Sequence, residues 1–317
     1  MAYLFISIAL VFMAVKGYCG KKTSNCMRDT GDSFLFSLVR MIFCILIGLV
    51  PLALDGAWAD LRLDGGMAAI CLLAGASNAA FLVGWILAVQ KNTMVMVDVT
   101  LTVGSIIPAV LCALLFGEAI LWQKMIGFGF IILASLILSG NPTAAKKGSG
   151  FLGILLLVLA AVGEGMVSFS QQLYKQYYSG MEGALGDSVY PMSVYHFYTY
   201  VFSGALLLVF FLIYEGVAYA KAPAGQKPMP KARLESLQNP ILYIVVMAVC
   251  LFLANYFQTI ATSTYGMPSQ IMYPLIKGAC LITVNITAMV FFGEKITKRS
   301  VLGSLVALLG IIVMNVF

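Results

Sequence analysis

The sequence predicts an all-α polytopic membrane protein, with ten transmembrane helices arranged as two inverted five-helix repeats. Of its 317 residues, 61% are hydrophobic and 10% are charged, and the mean hydropathy is +0.97. This composition excludes a soluble globular protein, in which about 25% of residues are charged. Two further observations support the prediction: a succession of long apolar segments, and a short motif that occurs twice at corresponding places.

The apolar segments follow one another along the whole chain. A membrane-spanning helix needs about 20 mostly apolar residues. The predicted spans cover residues 2–22, 33–54, 66–90, 93–116, 119–140, 151–175, 189–220, 240–264, 267–292 and 298–317. The first is expected to be a retained helix rather than a signal peptide, because no basic residue precedes it and Lys16 follows where a cleavage site would be sought.

A repeated motif divides the chain into two halves. The tripeptide Phe-Gly-Glu occurs at 116–118 and at 292–294, and the same distance separates each copy from a later glycine, Gly127 or Gly303. A glycine just past a helix end can adopt the left-handed conformation that caps it, and the glutamate then lies in the first turn of the next helix. The predicted domains are a first five-helix repeat at 1–140, a linker at 141–150 and a second five-helix repeat at 151–317.

The loop charges predict the orientation of the chain in the membrane. An odd number of helices per repeat requires the second repeat to cross the membrane in the opposite direction to the first. Thirteen Lys and Arg residues lie on odd-numbered loops, and only three, Arg62, Lys124 and Lys175, lie on even-numbered loops. Because basic residues concentrate in cytoplasmic loops, we expect the odd-numbered loops in the cytoplasm and both termini outside.

Several of these features occur together in one known family. Pro108 lies in the fourth predicted span, before the first Gly-Glu turn, and Arg40 lies early in the second span. With the two turns and the glycines that follow them, these residues resemble the EamA-like ten-helix transporters of the drug/metabolite transporter superfamily. The resemblance implies a carrier with a central cavity bordered by the third, fourth, eighth and ninth helices, with contributions from the first and sixth.

Charged residues within the predicted spans are the strongest candidates for function. A charge at the centre of a membrane helix costs about 2.5 to 3.5 kcal/mol even on the most lenient scale. The charged residues in the spans are Lys16, Arg40, Asp98, Glu164 and Lys277. Three positive and two negative charges favour an anionic or zwitterionic ligand. Arg40, which lies near the end of its helix, is expected to be structural or interfacial.

Lys277 is the leading candidate for substrate binding, because it lies near the middle of its helix. Gln270 and Tyr273 precede it at helical spacing, so the three residues share one face. We expect all three to contact the substrate. The alternative is that Lys277 forms a structural ion pair with Asp98 or Glu164.

Glu164 is a candidate for proton coupling. It begins a polar stripe on the sixth predicted helix that continues through Ser168, Gln171 and Lys175. A carboxyl group away from water is favoured in its neutral form, so Glu164 can carry a transported proton. An ion pair with Lys16, itself a candidate substrate-binding residue, is the alternative. Asp98 is a second candidate for coupling or pairing, or it reaches water at the interface.

Uncharged polar residues on the third and eighth predicted helices complete the candidate site. They are Asn78, Trp85, Asn255, Gln258 and Thr259. Asn255 and Thr259 are about one turn apart and share a face. We expect these residues to line the implied cavity; hydrogen bonds between neighbouring helices are the alternative explanation for the amides and hydroxyls.

The seventh predicted helix begins with a run of aromatic residues that contains the single histidine of the chain. The run consists of Tyr190, Tyr195, His196, Tyr198 and Tyr200. Tyrosine is enriched where helices meet the membrane surface, so we expect an interfacial belt. Stacking of the run on the substrate is the alternative.

Several function classes have no support in the sequence. There is no P-loop, no paired-histidine zinc motif and no nucleophile elbow. One His and seven Cys without a CxxC pair favour neither a metal site nor a disulfide framework. The basic residues are spread over several loops, so nucleic-acid binding is not expected. We therefore expect no enzymatic activity, no cofactor and no bound metal.

The function expected is secondary active transport of a small polar metabolite by alternating access. The cargo classes considered are an amino acid, a sugar derivative, or a related zwitterion or anion, with a proton or ion as the coupling partner. The alternatives are a drug-type cation exporter of the same superfamily and an integral membrane enzyme acting on a lipid-linked substrate. We expect a monomer or homodimer in a bacterial plasma membrane, with the lipid bilayer and the small-molecule substrate as its partners.

Overall fold

Every regular element in the described part of the computed structural model is a helix. The structure describes residues 1–91, 94–117, 122–139, 151–180, 188–221, 236–292 and 297–316. The α-helices are α1 (Ala2–Asn25), α2 (Thr30–Leu54), α3 (Gly65–Lys91), α4 (Met94–Gly104), α5 (Ile106–Phe116), α6 (Trp122–Ser139), α7 (Phe151–Tyr178), α8 (Met192–Lys221), α9 (Ile241–Ser263), α10 (Ser269–Phe292) and α11 (Lys298–Val316). A short 3-10 helix, Ala59–Leu61, lies between α2 and α3.

The lengths and compositions of these helices identify an integral membrane protein. Six of them, α1, α2, α3, α7, α8 and α9, are long and apolar enough to cross a bilayer. Shorter apolar segments occur at Thr100–Phe116, Met125–Ala134 and Val301–Val313. The prediction of a helical membrane protein is therefore confirmed.

The fourth predicted span is interrupted, and the prediction of one continuous helix there is wrong. α4 ends at Gly104 and α5 begins at Ile106. Pro108 has no N–H to donate to the carbonyl of Gly104, and its ring crowds that carbonyl. Ser105 Oγ donates instead to the Thr102 carbonyl at 2.6 Å. The interruption lies where this segment packs against α7, which both α4 and α5 contact.

The first copy of the repeated motif has the predicted cap. Gly117 follows α5 with a φ of 65°, the left-handed conformation that residues with a side chain rarely adopt. Glu118, residues 293 and 294 of the second copy, and the predicted linker 141–150 lie outside the described residues. Gly127 packs closely on α11: a Cβ added at Gly310 of α11 would lie 2.6 Å from the Gly127 carbonyl oxygen.

The most extensive helix contacts are α3 with α7, α6 with α11 and α1 with α9, followed by α8 with both α2 and α3. Between α3 and α7 the backbones are in direct contact. A Cβ added at Gly163 would lie 2.7 Å from the Phe81 nitrogen, and one added at Gly84 would lie 2.9 Å from the Ala160 nitrogen. These two glycines bring Glu164, next to Gly163, close to the face of α3 that carries Phe81.

Much of the aromatic run on α8 lies inside the protein, so the prediction of an interfacial belt is wrong for these residues. Tyr195, His196 and Tyr200 are at most 2% exposed. Tyr195 stacks on Tyr174 of α7 with ring centroids 4.8 Å apart. The reason is that these side chains pack against other helices: Tyr195 contacts α7, and His196 and Tyr200 contact Phe252 of α9.

The remaining tyrosines of the run fasten the connection between α2 and α3. Tyr198 donates a hydrogen bond to the Leu61 carbonyl at 2.6 Å, and the Tyr190 hydroxyl accepts one from the Asp64 nitrogen at 3.0 Å. From α7, Tyr178 donates to Asp64 Oδ1 at 3.1 Å. Residues 55–64 are thereby held against the ends of α7 and α8.

Candidate functional site

A small cavity lies where α1, α3, α4, α7 and α10 meet. Its volume is about 40 Å³. This is room for a few water molecules, since one water needs about 10–15 Å³ by this measure. Its lining includes Lys16, Phe81, Trp85, Thr102, Glu164, Lys277 and Thr283. Four of the predicted site residues, Lys16, Trp85, Glu164 and Lys277, are therefore brought together.

An ion pair crosses this cavity from α7 to α10. Lys277 Nζ contacts Glu164 Oε1, and the two side chains are only 11% and 13% exposed. About one turn along the same pair of helices, the Tyr273 hydroxyl donates to the Ser168 carbonyl at 2.5 Å, and Gln172 Nε2 donates to that hydroxyl at 3.2 Å. The structure thus contains the Lys277–Glu164 pair that was one of the open alternatives.

The second oxygen of the Glu164 carboxylate has a different environment in the described part of the structure. Glu164 Oε2 is buried and has no hydrogen-bond partner among the described residues. A buried carboxylate oxygen is normally satisfied, because leaving it without a partner is unfavourable. This oxygen is available to a ligand donor or to a proton.

Lys16 lies over aromatic rings rather than in an ion pair with Glu164. Its Nζ is 5.4 Å from the centroid of Phe81 and 6.0 Å from that of Trp85, and the residue is 9% exposed. Cation–π contact at these distances stabilises a desolvated ammonium. Gly20, one turn further along α1, makes room for the indole: a Cβ there would lie 2.1 Å from Trp85 Cη2.

Arg40 is buried within the protein, so the interfacial reading of this residue is wrong. It is 1% exposed, and its Cζ is 5.9 Å from the Trp85 centroid. Its Nη1 donates to the Met247 thioether at 3.8 Å. Its Nε and Nη2 have no hydrogen-bond partner among the described residues.

The predicted uncharged site residues lie mostly elsewhere. Asn78 donates to Ser203 Oγ at 3.1 Å, and Asn255 donates to the Tyr200 hydroxyl at 3.2 Å. Thr259 Oγ1 is 3.1 Å from His196 Nε2. These contacts join α8 to α3 and α9, as in the alternative of hydrogen bonds between helices. They do not line the cavity.

Four further predicted site residues remain: two have described side chains, and two do not. Gln258 is 5% exposed, and its Nε2 has no hydrogen-bond partner among the described residues. Tyr273 packs against α7 next to the ion pair through the Ser168 contact. Asp98 lies in α4 and Gln270 in α10, and the side chains of both are outside the described part of the structure.

Phe81 and Gly20 are functional candidates that the sequence prediction missed. Phe81 lies one turn before Trp85 on the same face of α3, which is a signal that can be read from the sequence. In a chain this apolar, however, such a pair of aromatic residues is not distinctive. Among the described residues, no group of three or more His, Cys, Asp or Glu side chains is placed to hold a metal ion.

Comparison with known proteins shows that the fold of this chain is similar to that of a solved structure. No family model matches the sequence, and no curated protein matches it. Among solved structures, the chain is similar to the crystal structure of a protein at a TM-score of 0.72. The match covers 99% of this chain and 96% of the other at 12% sequence identity. At that identity the likeness shows a shared fold alone.

Proposed function

We propose that the protein is a secondary active transporter of the EamA-like type, with ten membrane spans in two inverted five-helix repeats. In this proposal a small polar metabolite binds in the central cavity and becomes accessible to each side of the membrane in turn. The protein resides in a bacterial plasma membrane with both termini outside. The proposal rests on the helix packing and on the charged cavity.

The helix packing supports the repeat hypothesis. When the halves are matched in order, α1 corresponds to α7, α2 to α8, α3 to α9, the pair α4 and α5 to α10, and α6 to α11. The contact of α1 with α9 then corresponds to that of α7 with α3, and the contact of α2 with α9 to that of α8 with α3. The pairs α2–α8 and α6–α11 join corresponding helices. A pseudo-twofold relation between the halves would produce this pattern.

The observation that carries the proposal is the cluster of Lys16, Glu164 and Lys277 around one cavity. Their three helices are separate in sequence, and Glu164 lies near the middle of α7. Charged side chains at membrane depth are retained mainly where they bind substrates, ions or protons. Two cations and one described carboxylate favour a cargo that carries negative charge, and disfavour the alternative of a drug-type cation.

The volume of the cavity agrees with a closed conformation of a carrier. About 40 Å³ admits a few waters but not a metabolite. Cargo therefore requires the surrounding helices to separate. The ion pair between α7 and α10 and the hydrogen bonds that fasten residues 55–64 are contacts that must break or rearrange on opening.

Counterflow into liposomes tests the proposal. The purified protein is reconstituted with an unlabelled candidate metabolite inside, and uptake of the labelled metabolite is followed without any imposed gradient. We expect uptake with the wild type, loss of uptake with Lys277→Ala, and normal uptake with Lys298→Ala, a change at an exposed lysine. Absence of counterflow across amino acids, sugar derivatives and organic anions, together with chemical turnover of one of them, would instead identify a membrane enzyme.

A further inference from the structure

Arg40 is a buried cation whose hydrogen-bonding edge is unoccupied in the described part of the structure. The residue is 1% exposed, and neither Nε nor Nη2 has a hydrogen-bond partner there. The remaining contact of the guanidinium, from Nη1, goes to the thioether of Met247, which is a weak acceptor. An arginine does not escape this situation by losing its proton, because its guanidinium stays charged in proteins.

The charges of the described residues near Arg40 do not balance it. Lys16 has Glu164, Lys277 and Arg40 as its charged neighbours in the described part of the structure, which gives three cations and one described carboxylate. The carboxylate of Glu164 is already in contact with Lys277. Trp85 offers its ring to both Arg40 and Lys16, but an aromatic face is a weaker partner than an anion.

The two unoccupied donors of Arg40 have a specific geometry. Nε and Nη2 form one edge of the planar guanidinium, and their N–H groups point in parallel. This edge matches two oxygens of a carboxylate or a phosphate, and the resulting paired hydrogen bonds are both charged and directional. A hydroxyl or an amide would satisfy at most the hydrogen bonding and would leave the charge uncompensated.

We propose that Arg40 anchors the oxyanion group of a small ligand. Lys16, which also lies over the Trp85 ring, is the second cation of this subsite. The shared chemistry is a planar or tetrahedral oxyanion, either a carboxylate or a phosphate. This inference deepens the proposed function by naming the chemical class of the cargo, and it rests on that function in taking the bound anion to be transported.

The Trp85 ring lies near both cations of this subsite. Its indole lines the cavity and lies within 6.0 Å of Lys16 Nζ and 5.9 Å of Arg40 Cζ. In this proposal an anion that enters from the cavity passes the Trp85 ring on its way to Arg40. The indole occupies space next to α1 that is free because Gly20 has no side chain. A larger residue at position 20 would collide with the ring.

Ligand binding in detergent tests the inference without requiring transport. The probes are acetate, succinate, inorganic phosphate and glycerol phosphate, and the matched neutral compounds are acetamide, succinamide and glycerol. Thermal shift and calorimetry give the shift in Tm and the Kd for each. We expect at least one oxyanion to raise the Tm, and its neutral counterpart to have no effect. The carboxylate and phosphate probes separate the two sources of the anion. If no oxyanion exceeds its neutral counterpart, the inference is wrong.

Substitutions at Arg40 identify the binding group. Arg40→Met is expected to weaken the Kd about 10- to 100-fold, as the loss of charge-assisted hydrogen bonds does. Arg40→Lys, which keeps the charge but loses the paired donors, is expected to weaken it about tenfold or more. Lys16→Met is expected to weaken binding as well. Arg299→Met, at an exposed arginine, should leave the Kd unchanged. An unchanged Kd in Arg40→Met would overturn the inference.

The Tm of the empty protein separates a binding role of Arg40 from a structural one. If the guanidinium waits for an anion, Arg40→Met removes an uncompensated buried charge, and the Tm without ligand stays the same or rises. If the guanidinium is structural, the Tm without ligand falls and the ligand-dependent shift is retained. That second result would contradict the proposal even where the first binding measurements succeed.

The same variants separate this inference from the transport proposal. If binding of an anion depends on Arg40 but the anion shows no counterflow, the result supports the oxyanion subsite and contradicts the transport proposal. If a metabolite shows counterflow and its Kd is the same in wild type and Arg40→Met, the result supports transport and contradicts the oxyanion subsite.

Discussion

At the scale of single residues, the Glu164–Lys277 pair is the contact whose energetics are clearest. Both side chains are nearly buried, so neither charge is well solvated when it loses the other. Their mutual attraction is strong for the same reason, because little water lies between them. We therefore expect the stability of the protein to fall when one of the two charges is removed, and to fall much less when both are removed.

Single and double substitutions of the pair make this testable. Glu164→Leu and Lys277→Met are each expected to lower the free energy of unfolding by about 3 kcal/mol, the lower end of the range for a buried pair. The double variant is expected to recover most of that loss, since no unpaired charge remains. Thermal or denaturant unfolding in detergent measures all three. Additive losses in the double variant would show that the two charges do not compensate each other.

The free oxygen of Glu164 leads to a prediction about coupling. Protonation of the carboxyl would release Lys277, so the ion pair and the neutral acid are alternative states of one site. Glu164→Gln resembles the protonated form permanently. We expect this variant to retain counterflow but to lose the acceleration of uptake by an imposed pH gradient, measured in liposomes. Uptake that still follows the pH gradient would exclude Glu164 as the proton carrier.

At the scale of helices, the close contact of α3 and α7 positions the cavity. The two backbones meet at Gly84 and Gly163, and the neighbouring atoms there belong to the main chain. Main-chain atoms cannot rotate away as a side chain does, so an added methyl group must push the helices apart. Such a shift would change the positions of Glu164, Phe81 and Trp85 relative to one another.

Gly163→Ala tests this contact. A Cβ at that position would lie 2.7 Å from the Phe81 nitrogen, so we expect a destabilisation of about 1–3 kcal/mol, typical of overpacking. Gly129→Ala on α6 is the matched control, because no atom lies within 4 Å of its Cβ position. Alanine also favours a helix over glycine, by about 1 kcal/mol in the helix interior. Equal unfolding midpoints for the two variants would contradict the packing argument.

At the scale of the whole molecule, the orientation in the membrane is a prediction that rests on charge rather than on packing. A bundle of this kind is stable in either orientation once folded, whereas the basic loops decide which side remains in the cytoplasm during insertion. The excess of Lys and Arg on the odd-numbered predicted loops therefore carries the assignment of both termini to the outside.

Labelling of the termini checks the orientation. Short epitope tags at each end of the chain are expected to be accessible to antibody on intact cells. The control is a tag within the predicted linker 141–150, which is expected to be accessible only after the membrane is permeabilised. Tags at the two ends that become accessible only after permeabilisation would reverse the assignment.

Length, hydropathy and rare charges were readable from the sequence because each of them is a local property. An apolar run must form a helix in a bilayer, since its backbone has no other hydrogen-bond partners there. The described helices accordingly cover the predicted apolar segments, with a break at Ser105, and six of them are long and apolar enough to cross a bilayer. Lys16, Glu164 and Lys277 stood out for the same reason, since charges in apolar helices are few.

The choice of partners was decided by the tertiary structure. The sequence left Lys277 with two possible carboxylates, assigned the tyrosines of α8 to the membrane surface and left Arg40 as either structural or interfacial. In the structure Lys277 contacts Glu164, Tyr195 and Tyr200 are buried, and Arg40 lies within 5.9 Å of Trp85. The physical reason is that lipid and protein interior are similarly apolar, so hydropathy does not say which face of a helix meets another helix. Only close packing, at positions such as Gly20 and Gly163, fixes which side chains meet.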